Sequence, residues 1–264
     1  MVLPATARHA RERVSASRVR RSAPGCLPLA QILFSQGFGS RRECLARIAS
    51  GQVQRDGRVL DDPHEELATE GLELEVEGQA WAYHDKALVM LHKPAGYECS
   101  QRPRHHPGVM SLLPVPLRTR GVQPVGRLDE DTTGLLLLTD DGVLLHRLTS
   151  PRHHVPKVYE VTTRHAVDDT QLRRLLDGVV LDDSPQPVRA VAARQQSGRQ
   201  LSLTLTDGRY HQVKRMLAAV GNRVEALHRS RVGGLALPAD LPAGGWCWAD
   251  REVVLGTAPD APSR

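Results

Sequence analysis

The clearest hydrophobic pattern in the chain is an unbroken apolar run from Leu135 to Leu138, which lies between two polar, turn-forming flanks. The run is too short to span a membrane, and its length is typical of a strand buried on both faces. Carboxylates stand on both sides of it, at residues 129–131 and at residues 140–141. The pattern predicts either an active-site edge on a rigid strand or a solvated turn beside a core strand.

The N-terminal part of the chain shows helical patterning followed by short strands. Apolar residues at 29, 32 and 33 share one helical face. Ser40 can cap a second helix over residues 41–50, and the buried side of that helix is predicted to hold Leu45 and Ile48. Strands are predicted around Val53, Val59 and residues 72–76. We interpret residues 27–79 as a small α+β module.

A linker is predicted at residues 79–85, and a larger α+β domain with a mainly antiparallel sheet at residues 86–256. Its strands are predicted at residues 88–92, 157–162, 188–195, 200–206, 224–229 and 235–237. Its helices are predicted from a cap at Asp140 or Asp141 through Leu148, at 168–176, and from about 212 to a stop at Gly221. Residues 103–116 are expected to be irregular.

The last predicted helix carries a core-facing stripe of Val213, Met216, Leu217 and Val220. Lys214 flanks this stripe, so it is predicted to meet a carboxylate or to line a cleft. Strand alternation places Lys157 and Tyr159 on one face of their strand.

Composition adds a preference for a polyanionic partner. The 264 residues are 40% apolar and 25% charged, with a net charge of +5, which is typical of a globular protein with a basic surface. Cys26, Cys44, Cys99 and Cys247 are scattered, so we expect free thiols and a cytoplasmic location. We expect no membrane-spanning segment, because no apolar run is long enough to cross a bilayer. We also expect no signal peptide, because the basic N-terminal segment lacks an apolar region.

Two further segments give expectations about order and metals. Residues 1–25 are rich in Arg, Ala and Ser and lack apolar periodicity, so we expect a disordered basic tail. The pair His105-His106 has no second ligand pair at a recognisable spacing, so no metal site is expected.

Four motifs in the larger domain give the chain a family resemblance. Residues 126–142 read GRLDEDTTGLLLLTDDG, residues 93–96 read KPAG, residues 157–159 read KVY and residues 208–216 read GRYHQVKRM. In their order along the chain, these motifs resemble those of the RsuA/RluB/E/F group of pseudouridine synthases, and the resemblance extends over about residues 28–248. The segment GFGSRRECLARIASGQVQRDGRVL resembles the core of an S4 RNA-binding domain.

The resemblance implies that the protein isomerises uridine to pseudouridine, and it assigns four residues to this chemistry. Asp129 matches the catalytic carboxylate, and Lys214 matches the cation that keeps it ionised and oriented. Tyr159 matches the tyrosine that stacks on the target base. Arg127 matches an arginine that fills the gap left by the flipped nucleotide or holds the loop. The reaction is an isomerisation, so no cofactor is expected.

The resemblance also implies RNA contacts. Arg41, Arg42 and Arg47 of the S4-like module are the candidate phosphate ligands. In the larger domain the expected RNA-binding residues are Lys93, Lys157, Arg209, His211 and Gln212.

The expected partner is ribosomal RNA or a ribosome assembly intermediate, bound by a monomer. The segments SPRHH and RVEALHRSRVGGLAL resemble the members that modify small-subunit 16S rRNA, at a site of the uridine 516 type. Two alternatives remain open, which are a 23S rRNA synthase of the RluB/E/F type and a non-catalytic RNA-binding ribosome assembly factor. A carboxylate-dependent hydrolase has no partner motif in the sequence.

Overall fold

The computed structural model describes residues 25–182 and 184–256. The predicted basic tail lies outside these residues, apart from Gly25. No helix in the described ranges has the length and apolar character needed to cross a bilayer.

The N-terminal module contains two helices and six short strands. Its elements are β1 (Cys26–Pro28), α1 (Leu29–Gln36), α2 (Arg41–Ala49), β2 (Val53–Arg55), β3 (Arg58–Val59), β4 (Glu66–Ala68), β5 (Glu73–Val76) and β6 (Gln79–Ala82). Strand β1 pairs with β4, and the others form a sheet in the order β3-β2-β5-β6. The apolar faces of both helices and the inner faces of the strands form one core.

The predicted cap of α2 is confirmed. The Ser40 hydroxyl accepts a hydrogen bond from the backbone N–H of Glu43, and the Glu43 carboxylate accepts one from the N–H of Ser40. The predicted burial of Leu45 is wrong, because its side chain is exposed. The buried positions of α2 are Cys44 and Ile48, four residues apart on one helical face.

The predicted linker is wrong over its first half. Residues Gln79–Ala82 form β6, which pairs antiparallel with β5 and extends the module beyond residue 79. Trp81 in this strand packs against the core of the larger domain, with its ring centroid 5.4 Å from that of Trp248. The segment therefore joins the two domains through buried contacts.

The larger domain begins at β7 and ends at α7. Its elements are β7 (Leu88–Lys93), α3 (Val115–Thr119), β8 (Gln123–Pro124), β9 (Thr133–Thr139), α4 (Gly142–Thr149), β10 (Lys157–Thr163), α5 (Asp169–Asp177), β11 (Val179–Leu181), β12 (Ser184–Val188), β13 (Ala192–Ser197), β14 (Gln200–Leu205), α6 (Gln212–Ala219), β15 (Val224–Val232), β16 (Leu235–Ala236), β17 (Trp246–Trp248) and α7 (Arg251–Leu255).

The central sheet has the order β13-β14-β10-β15-β9-β7-β17, with β8 added beside β9 and β16 beside β15. Among the strand pairs of the described residues, β9 with β15 is the only parallel pair, which confirms the mainly antiparallel α+β prediction. The predicted single strand at residues 188–195 is wrong, because β12 ends at Val188 and a separate strand, β13, begins at Ala192.

Strand β9 is buried on both faces, as predicted. Leu136 and Leu138 belong to the core on one side of the sheet, whereas Leu135 and Leu137 belong to the core on the other. The segment 103–116 is less irregular than predicted, because it contains a 3-10 turn at Val109–Leu112 and the start of α3.

A buried polar cluster joins the two domains at the C-terminal end of β9. Arg120 is the C-cap residue of α3, and its side chain is only 3% exposed. Its Nη2 forms an ion pair with Asp140 Oδ2 at 2.7 Å. The same guanidinium donates to Gln36 Oε1 of α1 at 2.8 Å and to the carbonyl oxygens of His84 and Asp85. Gly37 has φ +86°, and a Cβ there would collide with the carbonyl oxygen of Pro116. The module is therefore packed closely on the larger domain.

We expect Arg120→Ala to lower the free energy of unfolding by about 3–5 kcal/mol, because it leaves the mostly buried Asp140 carboxylate without its ion-pair partner. Arg118→Ala, at an exposed position of α3, is the matched control and should change it by less than about 0.5 kcal/mol. Urea denaturation measures both values. Equal values for the two variants would show that the cluster does not hold the domains together.

Candidate active site

A cavity of about 980 Å³ opens at the N-terminal end of β9. Its walls come from the loop before β9, the start of β10, the segment before α6 and strand β15. They include Arg127, Asp129, Lys157, Tyr159, Arg209, His211, Gln212, Lys214 and Arg229. A second cavity, of about 450 Å³, lies between Lys86, Asp141 and Trp248 and contains none of the predicted site residues.

Asp129 lies in a turn that the KPAG segment holds in place. The backbone N–H of Thr132 donates to the carbonyl oxygen of Asp129 at 3.1 Å, which closes the turn. The N–H of Gly96 donates to the carbonyl oxygen of Glu130 at 3.0 Å. The loop is thus fixed by β9 on one side and by the end of β7 on the other.

Lys93 is fully buried beneath this loop, so the prediction that it binds RNA is wrong. Its ammonium donates to the carbonyl oxygens of Pro94, Glu130 and Thr132 at 3.0, 3.0 and 2.8 Å. Burial lowers the pKa of Lys93, and the nearby Cys99 and acidic residues oppose that shift. Lys93 holds the loop that carries Asp129 in place, because its three N–H groups donate to buried carbonyl oxygens that water would otherwise satisfy.

Lys214 of α6 bridges two carboxylates of the loop. Its ammonium lies 3.3 Å from Asp129 Oδ2 and 2.7 Å from Asp131 Oδ1. Partial burial alone would lower the pKa of Lys214, but the hydrogen bond to Asp131 and the charge of Asp129 outweigh it and raise the pKa above its usual value. The sequence predicted the contact with Asp129 and missed the shorter one with Asp131.

His211 contacts the other carboxylate oxygen of Asp129. Its Nε2 lies 3.4 Å from Asp129 Oδ1, and its ring stacks on that of Tyr210 with centroids 3.8 Å apart. The residue has φ +47° and forms the N-cap of α6. His211 was predicted as an RNA contact, and the structure brings it to the predicted catalytic carboxylate.

Gln212 is mostly buried in the wall of the cavity, and its predicted contact with RNA stays a prediction. Its Oε1 accepts a hydrogen bond from the backbone N–H of Arg209 at 2.8 Å, and this bond closes the turn before α6. Its amide nitrogen faces the sulfur of Met216. The neighbouring Arg209 lines the cavity, as an RNA-binding residue requires.

Tyr159 and Lys157 both reach the cavity from β10, in agreement with the predicted alternation. The Tyr159 side chain is mostly buried and presents part of its ring to the cavity. Burial lowers the pKa of Lys157, and the charge of Arg229 lowers it further, whereas Asp207 opposes the shift. The Lys157 ammonium donates to the carbonyl oxygen of Val155 at 3.0 Å.

Arg229 is a site residue that the sequence analysis missed. It lines the cavity although it is only 3% exposed, and its Nε donates to the carbonyl oxygen of Leu135 at 2.8 Å. The available signal was its place in β15 two residues after the buried Leu227, which strand alternation puts on the same face. Gly134 lies beside it with φ +106°, and a Cβ there would collide with the Arg229 backbone. Glycine in the motif thus permits the close parallel pairing of β9 and β15.

The predicted RNA-binding arginines of the module differ in their environments. Arg41 and Arg42 are exposed on α2, and the Arg41 guanidinium lies 4.7 Å from the ring centroid of Phe34. Arg47 forms an ion pair with Glu77 at 2.9 Å, which neutralises part of its charge. In the larger domain Arg127 is exposed at the mouth of the cavity.

No group of three or more His, Cys, Asp or Glu side chains is arranged to hold a metal ion within residues 25–182 and 184–256.

Comparisons with known proteins agree with this geometry. A family model described as RNA pseudouridylate synthase matches residues 87–219, and a model described as S4 domain matches residues 27–73. The chain belongs to the RNA pseudouridylate synthase family. The match places Asp129, Tyr159 and Lys214 inside the synthase domain, and the N-terminal module is an S4 domain, as predicted.

Relatives match over nearly the whole described chain. Ribosomal small subunit pseudouridine synthase A of Escherichia coli K12 is 40% identical over 80% of this chain and 91% of its own length. An uncharacterized RNA pseudouridine synthase of Bacillus subtilis is 37% identical over 82% of this chain and 92% of its own. A crystal structure titled pseudouridylate synthase matches with a TM-score of 0.61 and 31% identity, over 88% of this chain and 100% of that one. The protein is a pseudouridine synthase.

Lys93→Met should destabilise the synthase and displace its catalytic loop. Each of the three carbonyl groups that loses its donor costs about 1–3 kcal/mol if it stays buried and unsatisfied. We expect a lower free energy of unfolding in urea, together with slower pseudouridine formation. Lys86→Met, at an exposed lysine near the start of the same strand, is the control. Weaker RNA binding at unchanged stability would instead restore Lys93 as an RNA contact.

Asp131→Asn should lower the pKa of Lys214, because it removes a hydrogen-bond acceptor and a negative charge that raise it. When folding raises the pKa of a lysine, the protonated lysine stabilises the folded protein fully at pH values below its pKa in the unfolded chain. This stabilisation is lost as the pH rises through the pKa of the lysine in the folded protein. The variant should therefore lose the Lys214 proton at a lower pH, as an NMR titration of isotope-labelled lysine side chains would show.

Glu130→Gln is the matched control for this titration, since Glu130 is not among the groups that raise the pKa of Lys214. A Lys214 titration that moves equally in both variants would contradict the assigned role of Asp131.

Proposed function

We propose that this synthase isomerises one uridine of small-subunit 16S ribosomal RNA, of the uridine 516 type, with Asp129 as the essential carboxylate. The observation that carries the role of Asp129 is its position at the cavity, between the ammonium of Lys214 at 3.3 Å and the imidazole of His211 at 3.4 Å. The choice of substrate is supported by the identity of 40% with the small-subunit enzyme of E. coli.

The reaction breaks the bond between N1 of uracil and C1′ of the ribose, turns the base, and joins C5 to C1′. An ionised carboxylate can add to C1′ as a nucleophile or remove a proton next to it, and both routes use Asp129 in its charged form. Lys214 favours that form, because an adjacent cation stabilises a carboxylate in a partly buried site.

The cavity supplies the other requirements of the reaction. The target nucleotide has to leave its stack to reach Asp129, and a volume of about 980 Å³ accommodates a flipped nucleotide. The ring of Tyr159 offers a platform for the detached uracil, since stacking on an aromatic ring is worth about 1–3 kcal/mol per base. Arg127 at the mouth is placed to occupy the gap left in the RNA.

RNA would be held by the S4 domain and by cations around the cavity. Arg41 and Arg42 are exposed on α2, and Arg209 lines the cavity, so all three can reach phosphate groups. We propose that the protein acts as a monomer in the cytoplasm, where its four scattered cysteines stay reduced.

The test is chemical mapping of pseudouridine in both ribosomal RNAs from cells that lack this gene. Native protein should restore one missing small-subunit pseudouridine, and Asp129→Asn should not restore it. Glu130→Gln is the matched control, because it alters the next carboxylate and keeps the backbone carbonyl that binds Lys93. Asp129→Asn should still bind the RNA, since the S4 domain is unchanged.

Each other outcome corrects a separate part of the proposal. Loss of a large-subunit pseudouridine would keep the chemistry and change the substrate to 23S rRNA. Turnover by Asp129→Asn would refute the role of the carboxylate. No loss in either RNA would refute the ribosomal substrate and favour a role in ribosome assembly that does not depend on catalysis.

A further inference from the structure

Formation of pseudouridine requires the loss of a proton from C5 of uracil at the end of the reaction. When C5 of uracil joins C1′, C5 still carries its hydrogen, and that proton has to leave before the aromatic base is restored. A base must therefore stand close to C1′ at the end of the reaction. This inference rests on the proposed role of Asp129 at C1′.

The groups around Asp129 differ in their capacity to accept this proton. Lys214 is held protonated, since its pKa is raised. Asp131 is occupied by that ammonium at 2.7 Å, and its pKa is lowered, with the hydrogen bond to Lys214 outweighing the effect of burial. Asp129 shares the same cation, whose Nζ lies 3.3 Å from Asp129 Oδ2, and it is already engaged at C1′ in the proposed reaction. The imidazole of His211 is the remaining side chain in contact with this carboxylate in the described residues.

Geometry places His211 within reach of the carbon that reacts. Its Nε2 lies 3.4 Å from Asp129 Oδ1, so a sugar carbon that contacts the carboxylate lies beside the imidazole as well. A general base has to approach to about 2.6–3.2 Å of the atom that carries the proton, either directly or through one water. After the new bond forms, C5 is attached to C1′ and enters this range.

The backbone of His211 holds the ring in that place at some conformational cost. A residue other than glycine with φ +47° is strained by roughly 1–2 kcal/mol relative to a right-handed conformation. Such strain is concentrated at functional sites. The Tyr210 ring stacks on the imidazole at 3.8 Å and fixes its plane. The side chain is 37% exposed, so a proton can leave it for solvent.

We propose that the imidazole of His211 accepts the proton that leaves C5 after the C5–C1′ bond has formed. The electron pair of the C5–H bond becomes the C5=C6 double bond. The pair of the C6=N1 double bond moves to N1, which takes a proton from water. The imidazolium then returns its proton to water, so the enzyme is regenerated and the base gains no atoms.

The test is single-turnover conversion of 16S and 23S rRNA transcripts that carry either hydrogen or deuterium at C5 of uridine. His211→Asn suits the left-handed backbone and removes the base. We expect its rate to fall about 10²–10⁴-fold, the usual contribution of a general base, with unchanged RNA affinity. Deuterium should slow this variant more than it slows the native enzyme, because loss of the C5 proton becomes rate-limiting.

A second variant, His211→Gly, leaves space for a free base. Imidazole added to the buffer should restore its rate, and it should not restore Asp129→Asn. His154 is the matched control, because it has the same φ of +47° and is exposed outside the cavity. Replacement of His154 by Asn or Gly should change neither the rate nor the isotope effect.

The outcomes separate this proposal from the function on which it rests. A native enzyme that converts neither transcript would refute the proposed substrate. If native enzyme converts a transcript and His211→Asn keeps the native rate, His211 is not the proton acceptor. A slow His211→Asn with no added deuterium effect, and no rescue of His211→Gly by imidazole, would also overturn the proposal and leave His211 as a positioning residue for Asp129.

Discussion

The burial of β9 on both faces is the constraint on which the rest of the structure depends. The strand cannot slip by one residue, because Gly134 lies against the backbone of Arg229 where a Cβ would collide, and the Thr139 hydroxyl donates to the carbonyl oxygen of Ala87 at 2.6 Å. Both ends of the strand are therefore fixed. The N-terminal end carries the loop with Asp129, and the C-terminal end carries Asp140 and the polar cluster that joins the S4 domain to the synthase domain. The loop with Asp129 and the domain junction are thus positioned by one rigid element.

Buried Lys and Arg side chains also hold these segments in place by donating hydrogen bonds to backbone carbonyl oxygens. Lys93 ties the catalytic loop to the end of β7, Arg229 binds a carbonyl of β9, and Arg120 joins the carbonyls of two residues to a carboxylate. Lys93 and Arg120 each exchange water for several fixed oxygen partners, and Arg229 binds the Leu135 carbonyl, which makes their positions specific. The basic residues of the chain therefore have two roles. Buried cations organise the site, and the exposed arginines of α2 and of the cavity mouth remain available for phosphate.

The electrostatics of the site follow from α6, which presents two different side chains to the same loop. Lys214 lies in its first turn and keeps its proton between two carboxylates. His211 lies at its N-cap, in a left-handed conformation that turns the imidazole toward Asp129. One helix end therefore provides a permanent cation and a titratable base. The proposed reaction needs both, because it begins with an ionised carboxylate and ends with the loss of a proton from carbon.

The sequence by itself determined the α+β class, the doubly buried strand, the capped helix α2, the apolar stripe of α6 and the family motifs. These depend on local periodicity and on residues close together in the chain. Only the tertiary structure decided which polar residues are buried. Lys93 finds its acceptors at residues 130 and 132, and Arg229 finds Leu135 at a distance of 94 residues in sequence. The burial of Gln212, the exposure of Leu45 and the approach of His211 to Asp129 likewise depend on segments that meet only on folding, and no local pattern encodes such meetings.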